Sequence, residues 1–149
     1  MSVNSRSAVA IHALTYLARR GDELPRSSAD IAESLESNPV VVRRILGRLR
    51  DASLAWSTEG RGGGWRLARP AEDISLYDAH AAVADGPLLP LHSHPPSAGC
   101  VIGRHIQSLL EVEFAQAEQA LRDRLGRTTV ADMLAQVLER ERTLGAPRS

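Results

Sequence analysis

Seven arginines lie between Asn38 and Arg69, opposed there only by Asp51 and Glu59, a local excess of +5 in a chain of zero net charge. Arg43, Arg44 and Arg48 fall in a helix-length stretch from Asn38 to Ala52, and Arg61 sits in the run Gly60-Arg-Gly-Gly-Gly64. A guanidinium presents a planar fork of donors that fits a phosphate or the edge of a guanine. Glycines beside it let the backbone approach a partner closely. Together these residue types suit a polyanion, and a helix followed by a basic tip suits duplex DNA. Ser27 and Ser28, at the start of an earlier helical stretch, add hydroxyl and amide donors for a phosphate. The glycines do not make a nucleotide loop: the G-x-x-x-x-G-K-[ST] pattern is absent and every basic side chain is Arg.

A second group able to do chemistry is His92, His94 and Cys100. Three readings of the lone cysteine stand side by side. It is a small apolar residue packed at a helix start. Alternatively it is a redox or electrophile sensor, because a thiol at a helix N-terminus is expected to ionise more readily. The third is a metal or haem site shared with His92 and His94, for which one Cys and two His are acceptable ligands.

The elements that must position these residues follow from periodicity and stop signals. Helix 1 is expected from about Asn4 to Arg20, with Ile11, Leu14, Leu17 and Ala18 as its apolar face and Gly21-Asp22 as its end. Leu24-Pro25-Arg26 reads as an extended link, and Ser27 or Ser28 caps helix 2, which buries Ile31, Ala32 and Leu35. Asn38-Pro39 opens helix 3, since Asn caps and proline loses nothing at the first helical position. That helix buries Val42, Ile45, Leu46 and Leu49 and turns Val40, Arg43, Arg44, Gly47 and Arg48 outward. Trp56 to Pro70 reads as a β-hairpin, with Trp56 and Trp65 facing each other or the core. Ser75 and Asp78 form a capping pair for a short helix to about Val83.

Asp85 to Gly99, with four prolines and two glycines, is a loop long enough to suggest a function. A long helix from about Val101 to Gly126 carries the stripe Ile106, Leu110, Phe114, Ala117, Leu121 and Leu125, and Thr128 or Thr129 caps a last helix. The tail from Leu144 to Ser149 is expected to fray. The fold expected is mainly α with a small β-hairpin: a winged helix-turn-helix domain over 1–83, a sensor-type loop over 84–100, and dimerisation helices over 101–143. The stripe is assigned to a partner copy, because three helices and a hairpin already suffice for the winged domain's core.

No apolar run approaches the ~20 residues of a membrane span, and the N-terminal residues lack a signal peptide's apolar segment, so a cytoplasmic protein with no membrane partner is expected. One cysteine excludes an intrachain disulfide framework. The function expected is sequence-specific DNA binding without enzymatic activity. Two rivals remain: a winged-helix protein-interaction module whose basic face meets an acidic partner, and a small His/Cys metal-binding protein or metalloenzyme built on His92, His94 and Cys100, with Asp85 or His105 as base.

Several segments resemble the Rrf-two (Rrf2) family of bacterial transcriptional regulators: Asp30-Ile-Ala-Glu-Ser-Leu35, Arg44-Ile-Leu-Gly-Arg-Leu-Arg50, Gly60-Arg-Gly-Gly-Gly-Trp-Arg-Leu-Ala-Arg-Pro70 and Ile74-Ser-Leu-Tyr-Asp78. The likeness spans roughly residues 5–140, and the wing with its flanks is its specific part. It implies a homodimer formed through the long helix, bound to a palindromic operator in double-stranded DNA and usually repressing, in answer to an effector the sequence does not name. Carried over by position, Ser28, Asn38, Val40, Arg43, Arg44 and Arg48 would face the major groove, and Arg61, Gly62 and Gly63 the minor groove. Family members that carry an iron–sulfur cluster hold it with three cysteines. Here Cys100 matches the last, His94 lies near the middle position and Leu88 occupies the first. No cluster or other cofactor is therefore expected, and Leu91 to Gly103 looks more like the family's cluster-free branch.

Overall fold

The computed structural model describes residues 5–19 and 24–145. The outer limits expected for helix 1, at Asn4 and Arg20, its stop at Gly21-Asp22, and the tail beyond Gly145 lie outside them. Six α-helices, a 3-10 turn (Ala71–Asp73) and one hairpin are described: α1 (Arg6–Ala18), α2 (Ser28–Leu35), α3 (Pro39–Asp51), β1 (Ala55–Thr58), β2 (Gly64–Leu67), α4 (Leu76–Val83), α5 (Val101–Gly126) and α6 (Val130–Gly145).

The short helices start where side chains can replace missing backbone partners. Ser27 caps α2: its hydroxyl accepts from Asp30 N–H at 3.0 Å, while the Asp30 carboxylate accepts from Ser27 N–H. Asn38 caps α3 through Val40 N–H at 2.8 Å, and Ser75 with Asp78 repeats the reciprocal box at α4. Thr129 and Asp132 form a third box at α6. Each such cap is worth about 1 kcal/mol. Glu36 ends α2 in the left-handed region, at φ 47°, which turns the chain into α3.

The core is gathered around α1. Val9, Ala10, Ala13, Leu14 and Leu17 are buried against Ile31 and Ala32 of α2, Val42, Ile45, Leu46 and Leu49 of α3, and Ala79 and Val83 of α4. All four apolar residues expected inside α3 are there; burying each contributes roughly 1.5–3 kcal/mol. The face expected for α1 is rotated. Leu14 and Leu17 are inside, but Ile11 and Ala18 are only half-buried, and Val9, Ala10 and Ala13 take their place. The cause is that α1 is packed by several elements at once, including α6, so its small residues admit close neighbours. Ile11 instead lines an open groove with Tyr16, Met133, Leu134 and Val137.

The hairpin is antiparallel, with Ala55 opposite Leu67, Trp56 opposite Arg66, Ser57 opposite Trp65 and Thr58 opposite Gly64. The extended link before α2 joins it: Arg26 and Trp65 exchange backbone hydrogen bonds of 2.9 and 2.7 Å. A second bridge ties α4's start to the turn before α6, with Leu76 N–H on the Thr128 carbonyl and Val130 N–H on that of Ile74. Val130 is fully buried. The base of α6 thus belongs to the same packed unit as the winged domain, and α5 meets that unit at α4, where the Arg122 guanidinium lies 5.2 Å from the Tyr77 ring centre.

Candidate nucleic-acid interface

Helix α3 turns one face into the core and one outward, as a 3.6-residue period with Val42, Ile45, Leu46 and Leu49 inside requires. Val40 (49% exposed), Arg43 and Arg44 occupy the centre of the outward face. Neither arginine makes a hydrogen bond or ion pair among the described residues. Gly47 lies beside them, and a Cβ there would meet nothing nearer than the Arg50 side chain at 3.8 Å, so no neighbour within the chain demands glycine. Ser27 and Ser28 stand at the amino end of α2 and Asn38 at that of α3. The Ser27 hydroxyl already accepts from Asp30 N–H and keeps its proton to donate.

Arg48 is placed differently. It sits at the edge of the same face, and its guanidinium turns to the segment after α4, with Nη1 on Asp85 Oδ1 at 2.7 Å and Nη2 on the Ala84 carbonyl at 3.2 Å. Asp85 also accepts from Arg6 of α1. These two guanidinium hydrogen bonds, Arg6 first, hold the Asp85 carboxyl below its ordinary range.

The wing is carried by β1 and β2, with Arg61 and Gly62 exposed at its tip. A Cβ on Gly63 would stand 2.3 Å from the Thr58 carbonyl oxygen, and one on Gly64 2.7 Å from that of Arg26. Both positions therefore exclude any side chain. Gly64→Ala is expected to push the hairpin off the Arg26 strand and lower the thermal midpoint by several degrees, read by circular dichroism. An unchanged midpoint would mean that the link yields instead.

Of the expectation that Trp56 and Trp65 face each other or the core, only the core contact of Trp65 holds. Trp65 pairs with Ser57 and Trp56 with Arg66, so the one-residue offset puts the two rings on opposite faces of the hairpin. Trp65 packs against the core edge, with the Arg50 guanidinium 5.8 Å from its ring centre. Trp56 points away and is 44% exposed. Arg50 and Arg26, which brace the wing, escaped the sequence reading, and Asp85, considered there only as a base beside a metal site, engages Arg48 instead. Counting residues across the hairpin could have exposed Trp56; nothing local marks the other three.

In the 84–100 segment, His92, His94 and Cys100 are exposed. Among the described residues no group of three His, Cys, Asp or Glu is placed to hold a metal. His92, His94 and Cys100 are thus not brought together as a ligand set among the described residues. Cys100 is the N-cap residue of α5. The amides of Gly103 and Ile102, at the start of α5, lower its thiol pKa from the ordinary value.

Along α5, Ile106, Leu110, Phe114, Leu121 and Leu125 are half-buried in the single chain and Ala117 is exposed. A second apolar strip on this helix, unread in the sequence, points fully outward: Ile102 (70%), Leu109 (63%) and Val112 (56%). No described helix is long and apolar enough to cross a membrane.

With this geometry in place, three comparisons are informative. A family model, Rrf2, described as iron-dependent transcriptional regulator, matches residues 3–136. The chain is 36% identical over 133 residues to YwnA of Bacillus subtilis, an HTH-type transcriptional regulator by name, covering 89% of this chain and 96% of that one. Its fold is similar to that of T. potens IscR (TM-score 0.70, 23% identity, covering 100% of this chain and 94% of that one). It is also similar to a protein from Lactobacillus plantarum described as a transcriptional regulator (TM-score 0.74, 25% identity, covering 93% and 97%). The family description names iron, but the donors here do not fit an iron centre: there is one thiol, and no converging ligand set among the described residues.

Proposed function

The chain belongs to the Rrf2 family of DNA-binding transcriptional regulators, and we propose that it is a homodimeric repressor that works without an iron–sulfur cluster. It is a regulator and not an enzyme. The observation that carries the reading is the pair Arg43 and Arg44, exposed on α3 with Val40 between the helix caps and a wing whose tip bears Arg61. Helix α3 enters the major groove, where the arginines read guanine edges or clamp phosphate and Val40 meets thymine methyl groups. Arg61 and the Gly62-Gly63 backbone lie on the adjacent minor groove. Ser27, Ser28 and Asn38 set the register through phosphates. Arg48 joins them when it leaves Asp85. Two copies related by a twofold axis, joined through α5, read a palindromic operator.

Signal input is assigned to the 84–100 segment, with Cys100 as its reactive group. An exposed thiol whose pKa is lowered by two backbone amides is a better nucleophile at neutral pH than an ordinary cysteine. Its alkylation rate is expected to rise with pH through a midpoint below that of free cysteine. A midpoint at or above the free value, measured with iodoacetamide and mass spectrometry, would remove Cys100 as sensor.

The deciding experiment is fluorescence anisotropy of the purified protein on duplex DNA from its own upstream region, with scrambled competitor, before and after mild peroxide. Tight specific binding lost on oxidation and restored by thiol supports a repressor switched at Cys100. Specific binding indifferent to peroxide retains the regulator and rejects the switch. Where no specific binding is found, selection from random duplexes decides, and recovery of no sequence defeats the DNA-binding reading in favour of a protein-interaction module.

A further inference from the structure

We propose that Asp85 sets the DNA affinity of the chain by competing with DNA phosphate for Arg48, so that the 84–100 segment and the operator cannot both hold the edge of α3; this rests on α3 being the DNA-reading helix. Arg48 spends two of its five donors inward, on Asp85 Oδ1 at 2.7 Å and on the Ala84 carbonyl at 3.2 Å. In that rotamer it does not stand with Arg43 and Arg44 on the outward face. The contact is open to exchange, because Asp85 is exposed and Arg48 half-buried, with side-chain exposures of 57% and 35%, and an ion pair reached by water gains little. A phosphate in the field of Arg43, Arg44 and Arg61 is a stronger partner than one carboxylate. Asp85 is not stranded when Arg48 leaves, since Arg6 of α1 remains on its other oxygen.

The contact matters because the residues beyond Asp85 are tied to α5. Three residues on, the Leu88 and Leu89 amides donate to Glu118 of α5, at 2.6 and 3.3 Å. Farther along, Arg104 of α5 holds the Ala98 carbonyl at 3.0 Å, and Gly103 passes so close under Ser97 that a Cβ would stand 2.3 Å from its carbonyl oxygen. One path thus runs from α3 by hydrogen bond to Asp85, along the chain to Leu88, and by hydrogen bond to α5. If DNA takes Arg48, the start of the segment loosens. By reciprocity, whatever loosens that start frees Arg48 and favours DNA by the same factor.

The test uses the full chain and its selected operator duplex in anisotropy across a salt series. Asp85→Asn keeps size and one acceptor but no charge. It is expected to tighten binding about three- to tenfold, because Arg48 no longer has to be drawn from a carboxylate, while the slope of log affinity against log salt stays that of the wild-type chain, since Arg48 meets phosphate in both complexes. In an Arg48→Gln background the same substitution is expected not to tighten binding. A second readout is hydrogen exchange at the Leu88 and Leu89 amides of the wild-type chain, expected to accelerate when duplex is added. Equal tightening with and without Arg48 would mean that removing a negative charge acts only through the general field, and would overturn the competition. So would no tightening at all, or amide exchange unmoved by DNA. A wild-type chain that binds no duplex would instead defeat the regulator reading itself and leave the Asp85–Arg48 contact a structural ion pair.

Discussion

Replacing Arg43 and Arg44 together with alanine is expected to abolish operator discrimination while leaving the fold intact. Both side chains are exposed and unpaired among the described residues, so truncating them removes no internal contact, and alanine favours the helix. Their neighbours Val42, Ile45, Leu46 and Leu49 continue to anchor α3. If each arginine makes a bidentate contact with a guanine, each single substitution costs about 1–3 kcal/mol of discrimination, roughly fivefold to a hundredfold or more in affinity for the operator over scrambled duplex. If one contacts phosphate instead, its removal weakens all duplexes alike and flattens the salt slope by about 0.9. Anisotropy of the two single variants and the double variant on operator and scrambled duplex, at two salt concentrations, separates the roles. A double variant that binds the operator like the parent would move recognition off α3 altogether, and Arg61 with the wing would be the next place to look.

Much of this arrangement is legible in the sequence because its determinants are local. Asn38-Pro39 sets the start of α3 by capping chemistry alone, and the apolar spacing of Val42, Ile45, Leu46 and Leu49 decides which way its arginines point. Ser75 and Asp78 mark α4 in the same manner. Cys100 as the first residue before a helix follows from where the prolines stop. What the sequence hides is set by pairings between distant residues. Whether Arg48 faces solvent or Asp85 depends on a rotamer chosen by a residue 37 positions away. The burial of Ala10 and Ala13 instead of Ile11 depends on how closely α3 and α4 approach α1. The opposite orientations of Trp56 and Trp65 depend on the five-residue wing tip, whose length sets the register and so shifts each strand's faces together. His92, His94 and Cys100 illustrate the same limit: proximity in sequence is not convergence in space, and among the described residues the three do not form a group that could hold a metal.

Leu109→Asp with Val112→Asp is expected to give a monomer that is still folded and binds the operator about a hundredfold more weakly or worse. The two residues are 63% and 56% exposed, so the substitutions disturb little in the single chain. This distinguishes them from Leu110 and Phe114, which are half-buried in the chain itself and whose replacement by Asp would confound lost folding with lost assembly. Ile102, Leu109 and Val112 recur at spacings of seven and three, which places them on one side of α5 and beside the Ile106, Leu110 and Ala117 stripe. The helix therefore carries an apolar surface wider than its own chain covers. A strip of that kind, on a 26-residue helix, is the surface a twofold partner would bury. The DNA consequence comes from linkage of two half-sites: a tethered second winged domain acts at a high effective concentration, which commonly multiplies affinity by roughly 10²–10⁴, and a monomer forfeits that gain. Sedimentation equilibrium of the parent, the Leu109→Asp/Val112→Asp variant and a Leu110→Asp variant reads assembly directly, and circular dichroism shows whether each is folded. If the outward pair remains dimeric while Leu110→Asp dissociates without unfolding, the contact runs through the Ile106–Leu121 stripe and not through the outward strip. If all three stay dimeric, α5 is not the dimer helix, and the exposed Val137 and Leu138 of α6 become the surface to change next.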